Sequence, residues 1–161
     1  MAGHLAYIAK PQVQFTKDNE YYTPKEFVNR FGTFEYDPAT TKEKAEEFGV
    51  LNYDTIETDG LLKDWTQYKK IWINPPFTIK HQFLKKAWET YQVAKNEIYI
   101  LFPIEFITTI RFHEICSGGK IFIPKGRINF ESGLGKKSKS ITFGTVVMKL
   151  QDLFEVEMID K

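Results

Sequence analysis

One short stretch constrains this chain more than any other. It is an apolar run at 71–73 that stops at Asn74, Pro75, Pro76 and Phe77. Proline has no N–H to give to a sheet, so a central strand must end where the prolines begin. Pro76 also restricts Pro75 to an extended conformation. We therefore expect Asn74, the Pro75 carbonyl and the Phe77 ring to be held together just beyond the carboxyl end of a strand, where open α/β sheets bind their ligands.

These three groups suit the chemistry of an exocyclic amine on a planar ring, such as adenine N6, whose lone pair is delocalised. The side-chain oxygen of Asn74 and the carbonyl of Pro75 could accept its two hydrogens, which would localise the lone pair and stabilise the positive charge that develops. The Phe77 ring could stack on a base that has left the duplex. No covalent nucleophile is required. The alternative is a proline turn with a buried phenylalanine, because Asn-Pro is itself a turn signal.

Length and composition indicate one soluble intracellular domain. Residues 1–20 are polar without a clear period and are interpreted as an arm, which leaves 21–161 as a single domain large enough for a core. The formal net charge is +1, so nucleic-acid contacts would need a local cationic patch. The single Cys116 excludes an internal disulfide and a multi-cysteine metal site. No apolar run approaches membrane-spanning length, and the N-terminus does not resemble a signal peptide, so we expect neither a metal nor a membrane.

Periodicity and end signals predict alternating strands and helices, with a strand–helix–strand unit over 71–102. The predicted helices are 24–31 with Thr23 as N-cap, 41–48, 79–93 and 104–115. The predicted strands are 34–36, 71–73, 97–103, two short strands within 120–130, 141–150 and 153–158, and 50–69 is predicted to be mainly loop. Continuous apolar runs favour a mostly parallel sheet, and the last two strands are expected to be antiparallel. Asp37 ends a predicted strand, where it could accept hydrogen bonds from a ribose or an amine or could cap a helix.

Several short motifs follow one another in a recognisable order. Asn-Pro-Pro-Phe resembles the (Asp/Asn/Ser)-Pro-Pro-(Tyr/Phe) motif of amino-methyltransferases. The other motifs are Tyr-Thr-Pro at 22–24, Phe-x-x-Asp-Pro-Ala at 34–39, Asp-Gly-Leu-x-x-x-Trp at 59–65, an apolar strand ending in Phe-Pro at 102–103, and Gly-Arg-Ile-x-Phe at 126–130. The ordered set resembles the phage-type, Dam-like DNA N6-adenine methyltransferase family over about residues 21–149.

This resemblance implies a Rossmann-like fold with a mostly parallel sheet and antiparallel C-terminal strands, S-adenosylmethionine as methyl donor, and double-stranded DNA as partner. It implies that the target adenine is held by Asn74, Pro75, Pro76 and Phe77. It also implies a cofactor pocket lined by Tyr22, Thr23, Pro24, Asp37, Ala39 and Asp59. The chain departs from the broad methyltransferase class in having no Gly-x-Gly after the Asp37 strand, and it has phenylalanine rather than tyrosine at 77.

A cationic stretch could supply the DNA contacts. Lys136, Lys137 and Lys139 lie in a glycine-containing segment, 132–140, and could contact phosphates, while Arg127 could contact a base edge or a phosphate. The alternative is a solvated loop.

Charge does not choose the substrate, since acidic and basic residues nearly balance. A protein glutamine amide, an RNA adenine, or a non-catalytic DNA-binding role remain alternatives. A monomer in the cytoplasm of a bacterial host or phage-infected cell is favoured. The recognition sequence, the oligomeric state, the atom that Asp37 contacts and the biological role (restriction protection or regulation) stay open.

Overall fold

The structure, a computed structural model, describes residues 21–132 and 143–161. The predicted arm at 1–20 lies outside these ranges. The strands are β1 (Tyr21–Tyr22), β2 (Tyr36–Asp37), β3 (Asn52–Tyr53), β4 (Lys70–Ile73), β5 (Glu97–Pro103), β6 (Gly119–Lys125), β7 (Glu131–Ser132), β8 (Thr145–Lys149) and β9 (Phe154–Asp160). The helices are α1 (Lys25–Asn29), α2 (Lys42–Phe48), α3 (Lys80–Ala94) and α4 (Ile110–Ile115), with 3-10 turns at Gly60–Leu62, Phe77–Ile79 and Ile104–Thr108.

The central sheet confirms the predicted fold class. Its seven strands lie in the order β3-β2-β4-β5-β8-β6-β9, and β1 pairs separately with β7. The pairs β2–β3, β2–β4, β4–β5 and β6–β9 are parallel, whereas β8 is antiparallel to β5 and β6, and β7 is antiparallel to β1. The sheet is therefore mostly parallel with antiparallel C-terminal strands, as in a Rossmann-like methyltransferase fold. The expectation that β9 is also antiparallel is wrong, because β6 lies between β8 and β9.

Helices cover both faces of the sheet, because successive residues of a strand point to opposite sides. Ile71 and Ile73 belong to a buried cluster with the apolar stripe of α3 and with Phe112 of α4. Trp72, on the opposite face of β4, belongs to a second cluster with residues of α1 and α2. Burial on both faces explains why β4 and β5 are continuous apolar runs.

Three predicted elements have different limits in the structure. Helix α1 begins at Lys25 with Pro24 as its N-cap, so Thr23 is not the cap. The predicted helix at 104–115 is interrupted at Thr109, whose side chain accepts a hydrogen bond from Phe112 N at 3.2 Å and caps α4.

The two short strands predicted within 120–130 are one strand, β6, which continues through Pro124. Pairing of β6 with β8 extends only to Phe122, so a residue without an N–H is tolerated beyond that point. The region at 50–69, predicted to be mainly loop, contains the edge strand β3. Across residues 21–132 and 143–161, no helix is long and apolar enough to cross a membrane.

Candidate active site

The candidate site lies where the strand order of the sheet reverses. From β2 the chain moves outward to β3 and then returns to β4 on the other side of β2. Asp37 is the last residue of β2, Asn74 directly follows β4, and the register pairs Tyr36 with Ile71. Their side chains therefore come from neighbouring strands at the same edge, and such a reversal is where open α/β sheets bind ligands.

The amide of Asn74 has a defined orientation. Its Nδ2 donates to the Tyr21 carbonyl at 2.8 Å and to Thr23 Oγ1 at 3.1 Å. Thr23 is buried, with 3 % of its surface exposed. Both Nδ2 hydrogens are used in this way, and Oδ1 accepts no hydrogen bond from any residue in 21–132 or 143–161.

The proline segment leaves a second acceptor open beside Asn74. The Pro76 carbonyl accepts a hydrogen bond from Ile79 N at 3.1 Å, and the Phe77 carbonyl accepts one from Lys80 Nζ at 2.9 Å. The Pro75 carbonyl, by contrast, accepts none from the described part of the chain. The two oxygens that the sequence analysis selected, Asn74 Oδ1 and the Pro75 carbonyl, thus belong to consecutive residues and are both available to a ligand.

The Phe77 ring lies in an aromatic cluster rather than standing alone. It is half-buried, with the Tyr21 ring stacked at 5.9 Å between centroids and the Phe143 ring edge-on at 5.5 Å. Tyr21 also meets Phe130 edge-on at 6.1 Å. The ring therefore has a packing role, and its half-exposed surface leaves area on which a planar ligand could stack.

Asp37 is a buried carboxyl at the carboxyl end of β2, with 3 % of its surface exposed. Its Oδ1 accepts a hydrogen bond from Ala39 N at 3.0 Å. Burial raises the pKa of Asp37 to about 7, against a smaller lowering by the Ala39 N–H, and no Lys or Arg of the described segments forms an ion pair with it. The helix-cap alternative is wrong, because the side chain of Thr41 caps α2 by accepting from Lys44 N at 3.2 Å.

Asp54 is a site residue that the sequence analysis missed. It follows β3, is 8 % exposed, and its Oδ2 accepts a hydrogen bond from the Tyr36 hydroxyl at 2.6 Å. Burial, followed by the bond to Asp54, raises the pKa of Tyr36. Asp54 N donates to the Asp37 carbonyl at 2.9 Å, so the two carboxyl residues are joined through the main chain. An acidic residue about 20 positions after the first strand of an α/β nucleotide fold was the available signal.

Asp59 lies on the exposed turn that packs against the Asp37 segment. Its Oδ1 accepts from Leu61 N at 3.1 Å and caps the 3-10 turn. Gly60 touches Pro38 so closely that an added Cβ would lie 2.1 Å from the Pro38 carbonyl oxygen. The Trp65 Nε1–H donates to the Gly60 carbonyl at 2.8 Å. The Asp-Gly-Leu-x-x-x-Trp motif therefore has a structural role next to Asp37, and cofactor binding by Asp59 stays a prediction.

The remaining predicted cofactor residues surround the same edge. The Tyr22 ring lies 5.3 Å from Lys44 Nζ and so faces α2 rather than Asn74. The carbonyl of Pro24 accepts from Phe27 N at 3.1 Å at the start of α1. Ala39 presents its N–H to Asp37, as described above.

The predicted DNA-binding residues are only partly described. Arg127 is exposed and follows β6, which runs parallel to β5 and β4, so Arg127 lies at the same edge of the sheet as Asn74. Two strands separate β6 from β4, which places Arg127 about 14 Å across the sheet at the usual strand spacing. Lys136, Lys137 and Lys139 lie outside the described residues. The residues that border their segment are near the site, because Ser132 pairs with Tyr21 and Phe143 contacts Phe77.

The described residues offer no ready metal centre or thiol nucleophile. Within 21–132 and 143–161, no group of three or more His, Cys, Asp and Glu side chains could hold a metal ion. Burial raises the pKa of Cys116 to about 12, so its thiol stays protonated at neutral pH.

Comparisons with known proteins agree with the motif order. A family model described as DNA N-6-adenine-methyltransferase (Dam) matches residues 10–159. A curated protein of Escherichia phage T1 named DNA N-6-adenine-methyltransferase is 28 % identical over 157 residues, which cover 84 % of this chain and 64 % of that relative. The chain thus spans slightly less than two thirds of the length of the phage T1 protein.

Proposed function

Because this chain belongs to the DNA N-6-adenine-methyltransferase (Dam) family, whose model matches residues 10–159, we propose that it transfers a methyl group from S-adenosylmethionine to adenine N6 at specific sites in double-stranded DNA. The observation that most supports this proposal is the pair of open acceptors at the end of β4. The side-chain oxygen of Asn74 and the carbonyl of Pro75 are adjacent, and no residue of the described segments occupies either of them.

Two adjacent acceptors match the two hydrogens of an exocyclic amine. When both are bound, the nitrogen becomes pyramidal and its lone pair is available for attack. The same oxygens stabilise the positive charge that grows on N6 as the new N–C bond forms. This stabilisation is strongest in the transition state, so it accelerates the reaction rather than merely tightening binding. One N6 proton leaves after the transfer, which restores the neutral amine.

A base inside a duplex cannot reach these oxygens, so the adenine must be extruded from the stack. The half-exposed Phe77 ring lies three residues beyond Asn74 and is held by Tyr21 and Phe143. Because this ring is already immobilised by its neighbours, stacking a base on it would require little further ordering.

The carboxyl groups fit the chemistry of the cofactor. S-adenosylmethionine, when bound, supplies the methyl group on a positively charged sulfonium sulfur. Its amine and ribose hydroxyls are donors, and Asp37 is a buried carboxyl without a cationic partner in the described chain. We propose that Asp37 and the neighbouring Asp54 accept hydrogen bonds from these donors. Tyr22, Thr23, Pro24, Ala39 and Asp59 would border the same pocket.

We propose that Arg127 and the lysines Lys136, Lys137 and Lys139 contact the DNA backbone. Flexible lysines suit phosphates, which position a duplex without specifying its sequence. We propose that the protein acts as a monomer, in the cytoplasm of a bacterial host or phage-infected cell.

The test is labelled methyl transfer from S-adenosylmethionine to unmethylated DNA, RNA and a protein extract in parallel. We expect label on DNA at adenine N6. Asn74→Ala should lower kcat by about 100-fold or more while leaving cofactor affinity unchanged. Asn52→Ala is the matched control, because Asn52 also donates from Nδ2 to a main-chain carbonyl, at 3.2 Å, but lies on the exposed edge strand.

Two outcomes would contradict the proposal. Label on RNA or on a protein glutamine, with none on DNA, would replace the substrate. Near-normal turnover by Asn74→Ala would remove the acceptor pair from the mechanism.

A further inference from the structure

We infer that the Tyr21 carbonyl and the Thr23 hydroxyl hold the Asn74 amide in its working orientation, which makes Thr23 a positioning residue and asparagine, rather than aspartate, the residue required at position 74. The inference deepens the proposed function and rests on it. It gives Thr23 a role different from the cofactor contact that the family resemblance implies.

The orientation follows from the donor and acceptor chemistry of the contacts. A main-chain carbonyl can only accept, so the Tyr21 oxygen, 2.8 Å from the Asn74 amide, requires a donor. The NH2 group must therefore face β1, and its second hydrogen meets Thr23 Oγ1 at 3.1 Å. Rotating the amide by half a turn would place two acceptor oxygens about as close together as the Nδ2 and the Tyr21 oxygen now are. Oδ1 is thus directed to the side on which the Pro75 carbonyl is also open.

The two partners are themselves held by the fold. Strand β1 pairs with β7, with Tyr21 opposite Ser132 and Tyr22 opposite Glu131. Glu131 is in turn bound by Lys44 of α2 at 2.6 Å. The Tyr21 ring packs on Phe77, so its carbonyl cannot move independently of the site. Thr23 is buried and precedes Pro24, whose ring fixes its own φ, here −59°.

The same geometry explains why this chain has asparagine in a motif that also admits aspartate. A carboxylate has the acceptor oxygens that the reaction needs, but it has no hydrogen for the Tyr21 carbonyl. The Thr23 hydroxyl could rotate and donate to a carboxylate, whereas the main-chain carbonyl has no such freedom. Asn74→Asp should therefore lose activity here, although the substitution keeps size, shape and acceptor capacity.

Kinetics of three variants test the inference. Thr23→Val keeps the branched shape and removes the hydroxyl acceptor, and we expect kcat to fall about tenfold, the effect of removing one hydrogen bond. S-adenosylmethionine Kd should stay within about twofold, since the hydroxyl acts through Asn74. Thr23→Ser keeps the acceptor and should retain most of kcat, whereas Asn74→Asp should lose at least as much as Thr23→Val.

Thr90→Val is the matched control, because Thr90 is similarly buried at 7 % exposure and its hydroxyl donates within α3 to Lys86 O at 2.8 Å. It should leave kcat and cofactor affinity unchanged. A raised cofactor Kd with normal kcat in Thr23→Val would assign the hydroxyl to the cofactor and overturn the inference. Equal losses in Thr23→Ser and Thr23→Val would show that packing, not the hydroxyl, is what matters, and would also overturn it.

A measurement that needs no activity separates this inference from the proposed function. The side-chain amide resonances of Asn74, identified by their loss in Asn74→Ala, should exchange with solvent at least about tenfold more slowly than those of the exposed Asn29. Thr23→Val should remove much of that protection. Exchange as fast as that of Asn29 in a protein that methylates DNA would overturn the inference and leave the function standing. Slow exchange in a protein that transfers no methyl group would support the amide orientation and refute the function.

Discussion

Replacing Asp37 by asparagine tests the electrostatics of the site most directly. The substitution keeps the shape of the side chain, and its Oδ1 can still accept from Ala39 N, which donates to Asp37 at 3.0 Å. It removes a charge that burial makes unfavourable, since the pKa rises from 3.8 to about 7. One side chain therefore has opposite effects on stability and on ligand binding, and both effects depend on pH.

The effect on stability can be calculated from the pKa. Each pKa unit corresponds to about 1.4 kcal/mol, so ionised Asp37 costs the folded protein about 4 kcal/mol at pH 8. Because the folded pKa is raised, this cost is negligible below pH 3.8, grows as the pH rises, and is complete above about 7. Asp37→Asn should therefore raise the free energy of unfolding by about 2 to 3 kcal/mol more at pH 8 than at pH 5.

Cofactor binding should respond in the opposite direction. A charge-assisted hydrogen bond from an amine or ribose hydroxyl requires the ionised carboxylate. The wild-type Kd for S-adenosylmethionine should therefore fall as the pH rises through about 7, the pKa of Asp37. Asp37→Asn should weaken binding about tenfold to a hundredfold at pH 8 and remove that pH dependence.

Urea denaturation followed by tryptophan fluorescence gives the stability, and calorimetry at pH 5 to 8 gives the cofactor Kd. Asp64→Asn is the control, because Asp64 is an exposed carboxylate whose hydrogen bonds to Thr66 hold its pKa below the usual value. This control should not become more stable than wild type as the pH rises. An equal gain for Asp37→Asn at pH 5 and pH 8 would refute the buried-charge argument. Unchanged cofactor affinity would show that Asp37 is only structural.

Three further predictions concern the rest of the site. Phe77→Ala should weaken retention of the flipped base by about 1–3 kcal/mol, measured with a fluorescent adenine analogue, whereas Phe77→Tyr should keep activity; an unchanged signal in Phe77→Ala would assign the ring to packing alone. Neutralising Lys136, Lys137 and Lys139 should weaken binding to all DNA sequences alike and flatten the log–log salt dependence by nearly one unit for each phosphate that the variant no longer binds; lines that coincide with wild type would exclude these lysines from the interface. Gly60→Ala, whose Cβ would lie 2.1 Å from the Pro38 carbonyl oxygen, should lower the free energy of unfolding by about 1–3 kcal/mol, and wild-type stability would refute that close approach.

The order of the main elements could be predicted because it depends on local signals. The prolines at 75 and 76 end β4 as expected, and α2 begins after Thr41 and stops at Gly49, whose φ of 71° only glycine adopts readily. The apolar stripe of α3 determined both its type and its buried face. Each of these signals acts within a few residues.

Elements that depend on distant partners could not be predicted in the same way. Strand β3 has two residues and exists because it pairs with β2. The direction of β9 depends on its parallel register with β6, and β6 tolerates Pro124 only where β8 no longer pairs. No pattern within these segments specifies the neighbour that each strand will have.

The sequence by itself determined which reactive groups are adjacent in the candidate site, because Asn74, Pro75 and Phe77 are nearly consecutive and two prolines restrict the chain between them. Only the tertiary structure decided the direction in which the Asn74 amide points, since its partners Tyr21 and Thr23 lie 53 and 51 residues away along the chain. The raised pKa of Asp37 was decided in the same way, because it results from burial at the end of β2 rather than from any sequence neighbour. Residue type and spacing specify which groups are available, whereas orientation and desolvation are properties of the packed fold.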